Sequence, residues 1–189
     1  VMAESARAEA EARVAELARG FSRGPLHGVP IAVKDLCDTH DAPTAAGMAI
    51  HRDRQPDRDC TVVERFRGAG AVLLGKLAMT EGAFAGHHPE MPTPLNPFNP
   101  EVWTGASSSG SGAATAAGLC LGSTGSDTGG SIRFPSHACG VTGLKPTWGR
   151  VSRAGHARLA DSLDHVGPMS RSAIGCAALL AAIAGPDPR

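Results

Sequence analysis

The chain has 189 residues, 42% of them hydrophobic, with 18 Lys and Arg balanced by 18 Asp and Glu. That length suits one domain with a sizeable core. Zero net charge gives no electrostatic reason to expect nucleic acid or an acidic membrane surface as a partner. No apolar run approaches the ~18 residues of a membrane span. The Ala/Glu/Arg-rich first twenty residues lack the apolar segment of a signal peptide, so the reading is a cytoplasmic protein without membrane contact. The cysteines Cys37, Cys60, Cys120, Cys139 and Cys176 are scattered and show no CxxC spacing. They predict buried free thiols, with neither a zinc site nor a disulfide framework. Tyr is absent and aromatics are 4%, while Gly numbers 24. A core of Ala, Val, Leu and Ile in close, glycine-mediated contact is expected.

Taken in order, Glu4–Arg19 predicts a surface helix with a Glu9/Arg13 pair, Val14 and Leu17 facing inward, and Gly20 as the stop. "GVPIAVKDL" (28–36) predicts a short strand over Ile31–Val33 that ends in Lys34. Residues 59–70 read as a helix with Val62, Val63 and Phe66 at core spacing. "AVLLGKL" (71–77) is a continuous apolar strand of the kind covered on both faces. Residues 86–101, with five prolines, form an extended loop. "SGAATAAGLCLG" (111–122) predicts a small-residue helix, and 122–135 a loop with a turn or helix beginning near Ser131. Residues 140–152 read as strand and turn, and 172–185 as a final helix closed by Gly185. Alternating strand and helix signals predict a three-layer α/β/α sandwich on a mixed, mostly parallel sheet.

Three familiar motifs fail on inspection. Gly70 to Lys76 imitates a phosphate-binding loop, but Leu77 stands where a metal-binding hydroxyl belongs and the intervening residues are strand formers. His87 and His88 have no third ligand at a useful spacing and read as a solvated pair. No serine sits in a G-x-S-x-G elbow, because Ser109 and Arg133 occupy the final glycine positions after Ser107 and Ser131. No cofactor and no metal are expected.

A different constellation remains. Lys34 ends an apolar strand and is expected to be buried. Ser107 opens "SSSGSG", and Ser131 follows Asp127-Thr128-Gly129-Gly130. A hydroxyl needs a base to become a nucleophile, and no histidine lies within either serine motif. A desolvated lysine can serve, because burial lowers its pKa toward neutrality. The glycines before Ser131 leave backbone N–H groups free to face a developing negative charge. Asp127 and Arg133 read as an ion pair bracing that loop, Ser108, Ser109 and Ser111 as local turn and cap hydroxyls, and Ser123 and Ser126 as loop supports. Lys145, in a turn before Pro146, is the second candidate base.

These stretches closely resemble the amidase signature family of serine amidohydrolases. The resemblance runs from Pro25 to Gly185. It is carried by "GVPIAVKDL", by Gly105 through Pro135 with Ser131 24 positions after Ser107, and by "GVTGLKPTWGRVS" and "DSLDHVGPMSRS". It implies Ser131 as nucleophile, Ser107 as a bridging serine after a cis peptide bond, here Ala106–Ser107, and Lys34 as base. It implies an oxyanion hole from the N–H groups of Thr128, Gly129, Gly130 and Ser131, and hydrolysis of a small-molecule amide through an acyl-enzyme. Family domains are longer, so 1–189 would be one partial amidase domain lacking the C-terminal half that completes the sheet and acyl pocket. Alone it would be poorly stable or inactive. A second implied activity is glutamine hydrolysis as the glutaminase component of a tRNA-dependent amidotransferase, with partner subunits. A homodimer, or an inert fragment, are the remaining readings.

Overall fold

The structure, a computed structural model, describes residues 2–189. Five strands form one sheet in the order β2-β1-β3-β5-β4. β1 (Pro30–Lys34) lies parallel to β2 (Val72–Leu77) on one side and to β3 (Gly122–Asp127) on the other. β5 (His165–Ser170) runs antiparallel to β3 and to the two-residue β4 (Thr142–Gly143). The sheet is mixed, as expected, but not mostly parallel: parallel and antiparallel pairings are equal in number.

Alternation along β1 separates the two faces. Ile31 and Val33 join the main core with Val62, Val63 and Phe66 of α2 (Thr61–Gly68) and Leu179 and Ile183 of α5 (Ala173–Ile183). Ala32 points the other way, toward Ala114 of α3 (Ser109–Ala116). Lys34 shares the parity of Ala32, so the strand's period of two sends it to the α3 side. Burying the apolar set of α2 contributes on the order of 25 cal/mol per Å² removed from water.

Three further expectations change. The first helix, α1 (Ala3–Ala18), forms as predicted, but Val14 and Leu17 are exposed. It is held to the body by the buried Met2 and Ala6 and by Glu9, which accepts a 2.8 Å hydrogen bond from the Leu73 N–H and pairs with Arg67. β2 is an edge strand, so Leu74 is solvent-facing rather than covered. The largest difference is β3. The composition of "GSTGSD" predicts loop, and the segment is a fully buried central strand. It has no apolar side chain to drive it inward.

The α3 hydroxyls explain how such a strand can be buried. Ser111 Oγ donates to the Thr124 carbonyl at 2.8 Å, Thr115 Oγ1 is hydrogen-bonded to Ser123 Oγ at 2.8 Å, and Ser108 Oγ accepts from the Ser126 N–H at 3.2 Å. Ser108 and Ser111 thus do not bond local backbone, as their motif suggests; they bolt the helix to the strand. Buried polar groups cost little when their partners are built in. Close approach needs small residues: a Cβ at Gly110 would lie 2.4 Å from the Ala78 carbonyl oxygen.

Candidate active site

Three segments meet at the carboxyl ends of β1 and β3. Lys34 closes β1, the turn 105–108 leads into α3, and 128–132 links β3 to α4 (Arg133–Ala138). Lys34 is fully buried. Its Nζ lies 2.6 Å from Ser107 Oγ and 2.8 Å from Ser126 Oγ. Its own N–H donates to Thr124 Oγ1 at 3.1 Å, which fixes the strand end. Among the described residues no carboxylate is within ion-pair reach of it. Burial therefore dominates and lowers its pKa from 10.5 to about 7, with negative charge at Cys37, Asp127 and Asp164 opposing only in part. A lysine in this state exchanges a proton near neutral pH.

Ser107 is fully buried, and the Ala106–Ser107 peptide bond is cis, the geometry the resemblance implied. The Ser107 carbonyl accepts from the Thr80 N–H at 3.2 Å. Ser131 is tied to the same turn, its carbonyl accepting from the Ser108 N–H at 3.2 Å. Among the described residues Ser131 Oγ has no hydrogen-bond partner, Ser107 included.

The Ser131 loop is wrapped around one carboxylate. Asp127 accepts from the Gly130 N–H at 2.8 Å and the Ile132 N–H at 3.1 Å, and its oxygens pair with Arg133 at 2.9 and 3.0 Å. Burial raises the Asp127 carboxyl, but Arg133 and these N–H groups outweigh it and hold it below its ordinary range. The brace read from the sequence is present. One detail differs: Gly130, counted among the oxyanion donors, directs its N–H to Asp127. The N–H groups of Thr128, Gly129 and Ser131 have no acceptor among the described residues.

Ser131 lines an open cleft of about 420 Å³ together with Thr128, Gly129 and Ala106. Phe84, Trp103, Phe134, Leu159 and Leu163 form its walls, and the Trp103 and Phe134 rings stand 6.1 Å apart. Among the described residues no charged side chain lines it.

Other candidates take different places. The Lys145 ammonium donates to the Pro146 carbonyl at 2.9 Å. Lys76, from the phosphate-loop imitation, lies in β2 and pairs with Asp35 at 3.1 Å. His87 is not simply solvated: its Nε2 is hydrogen-bonded to the buried Ser109 Oγ at 2.9 Å. Ser126, a loop support on its motif alone, is a direct partner of Lys34. The signal that finds it is strand register. β1 pairs Ile31 with Gly122 and Ala32 with Ser123, which brings Lys34 level with the end of β3.

Fold and site together define an α/β protein with a buried lysine–serine centre at the carboxyl ends of adjacent strands. The sequence model described as Amidase matches residues 1–189, and the chain belongs to that family. It is 66% identical over 187 residues to AmiD of Mycobacterium tuberculosis, which is named as an amidase; the match covers 99% of this chain and 39% of AmiD. It is 50% identical over 191 residues to the A component of the glutamyl-tRNA(Gln) amidotransferase of Anaeromyxobacter dehalogenans, covering all of this chain and 39% of that one. The crystal structure of the native peptide amidase of Stenotrophomonas maltophilia superposes with a TM-score of 0.91 at 40% identity, over 98% of this chain and 39% of that chain. The chain thus spans about two fifths of the length of these relatives.

Proposed function

We propose that this chain carries the catalytic centre of a serine amidohydrolase that cleaves a small-molecule amide with an apolar or aromatic group. The observation that carries the reading is a wholly buried lysine amine with no counter-ion, 2.6 Å from Ser107 Oγ. Neutral Lys34 takes the Ser107 proton as Ser107 takes the proton of Ser131. Ser131 Oγ attacks the amide carbon, and the carbonyl oxygen becomes an oxyanion facing the N–H groups of Thr128, Gly129 and Ser131. The relay then returns the proton to the departing amine nitrogen. Water enters, loses a proton to the same relay, and hydrolyses the acyl ester, which restores Ser131. Ser107 and Ser131 close to hydrogen-bond distance on substrate binding, as catalytic contacts commonly tighten in the complex.

The apolar and aromatic walls that this chain contributes to the cleft support an apolar or aromatic substrate group. Glutamine hydrolysis with partner subunits, after the amidotransferase relative, is the second reading. The test is covalent labelling of the protein by a fluorophosphonate probe, followed by turnover of an aryl amide and of glutamine. Ser131→Ala is expected to abolish labelling and to lower amide turnover by at least ~10³-fold. Equal labelling of the variant and the parent would remove Ser131 as the nucleophile. Turnover of glutamine alone would move the assignment to the second reading.

A further inference from the structure

The scattered cysteines gave no metal-ligand spacing, yet the fold gathers two of them with a histidine. Cys37 Sγ, Cys60 Sγ and a ring nitrogen of His156 lie within 4.8 Å of one another. All three residues are buried: Cys37 and Cys60 are 0% exposed and His156 is 9% exposed. Neither ring nitrogen of His156 has a hydrogen-bond partner. A buried imidazole with both nitrogens idle is unusual, because buried polar atoms almost always find partners.

The backbone around the cluster is fixed by three segments. Cys37 and His156 face each other across an isolated antiparallel bridge. The Ala157 N–H donates to the Leu36 carbonyl at 3.0 Å, and the Asp38 N–H to the Gly155 carbonyl at 2.9 Å. Cys60 precedes α2, and its N–H donates to the Asp38 carbonyl at 2.9 Å. A Cβ at Gly155 would lie 2.7 Å from Cys60 Cα, so the histidine loop can pass only as glycine there.

We propose that Cys37, Cys60 and His156 form a binding site for a single thiophilic divalent cation of the zinc class. Metal–sulfur bonds of ~2.3 Å and metal–nitrogen bonds of ~2.0 Å put tetrahedral ligand atoms roughly 3.8 Å apart, so the three side chains need to close by about 1 Å or less. Two protons leave as the ion enters, one from Cys60 and one held between Cys37 and His156. The two thiolates then neutralise its charge, and the imidazole supplies a neutral third ligand. His156 also borders a cavity of about 10 Å³, room for one water, and neither Cys37 nor Cys60 lines it. The second cluster of potential ligands, His40, Asp41 and Asp59, is different. Arg67 already holds Asp41 at 2.8 Å and Asp59 at 2.9 Å.

The site sits beside the catalytic strand, since the Cys37 N–H donates to the Lys34 carbonyl at 2.9 Å. A bound ion would lock the end of β1 to the loop 153–157. Titration of the reduced chain with Co²⁺ tests it. A thiolate-to-metal absorption band should saturate at one ion per chain and disappear when Zn²⁺ is added. Cys37→Ser and Cys60→Ser should each remove the two-thiolate band, and His156→Asn should weaken binding by about tenfold or more. Cys139→Ser and Cys176→Ser should leave it unchanged. If the cluster variants fail to fold, X-ray absorption on the zinc-loaded parent chain still decides: two sulfurs with light atoms completing the shell are expected. No band in excess Co²⁺, a band that survives loss of both cysteines, or a shell of oxygen and nitrogen alone would overturn the proposal.

Discussion

Replacing Lys34 by Met tests the physical basis of the centre separately from its chemistry. Burial lowers the lysine pKa from 10.5 to about 7. Between those values the unfolded chain holds a proton that the folded chain does not. The unfolding free energy therefore rises with pH at about 1.4 kcal/mol per unit. Below about pH 7 both states are protonated and the burial penalty has its full size. Above the unfolded pKa neither state is protonated and the penalty is gone. Lys34→Met removes this titration and keeps the side-chain volume. It also strips Ser107 and Ser126 of a partner, at about 1–3 kcal/mol per buried hydroxyl, but that loss does not depend on pH. The quantity to measure is the stability of the variant minus that of the parent, by urea unfolding from about pH 7 to pH 9.5. The gap should move in favour of the parent by about 3 kcal/mol over that range. A gap that stays flat would mean the native lysine is not depressed, and a neutral base at Lys34 would have to be given up.

Two further outcomes follow from the packing. Gly110→Ala places a methyl 2.4 Å from the Ala78 carbonyl, so α3 must shift; a loss of about 1–3 kcal/mol is expected, read from the thermal midpoint. Ser126→Ala leaves Lys34 Nζ with Ser107 alone. Losing an acceptor disfavours the ammonium, so the acid limb of kcat/KM, expected near pH 7 in the parent from the Lys34 pKa, should move to lower pH, with a roughly ten- to hundredfold fall in rate. An unmoved limb would show that Ser126 does not touch the base.

Lys34, Ser107 and Ser131 are legible in the sequence because each sits in a local motif that survives outside its fold. The strands with apolar alternation, and the helices α2 and α5, are legible for the same reason: their partners are apolar and any apolar partner will do. β3 is not. "GSTGSD" carries neither a β-branched alternation nor an apolar run, and its stability as a strand comes from hydroxyls on α3 that contact it across the sheet face. The outward turn of Val14 and Leu17 has a related cause. Two apolar residues on a charged helix do not define a face when Met2, Ala6 and Glu9 provide the anchor. The cysteine–histidine cluster is drawn from positions 37, 60 and 156, and only the bridges between those segments reveal it.

The string "GASSSGSG" and the strand "GSTGSD" are therefore halves of one device. A helix of ordinary bulk would stand too far from β3 for a serine hydroxyl to reach a strand carbonyl. With Gly110 against Ala78, Ser108 and Ser111 span the gap. That contact buries β3 without apolar side chains and leaves polar atoms on the face toward Lys34. An apolar strand there would desolvate the amine with nothing to orient it. Ser126 supplies an uncharged acceptor at 2.8 Å, which fixes Nζ beside Ser107 without the carboxylate that would hold the lysine protonated. Small polar residues at these positions thus serve packing and proton affinity together, and a substitution that relaxes the first is expected to shift the second.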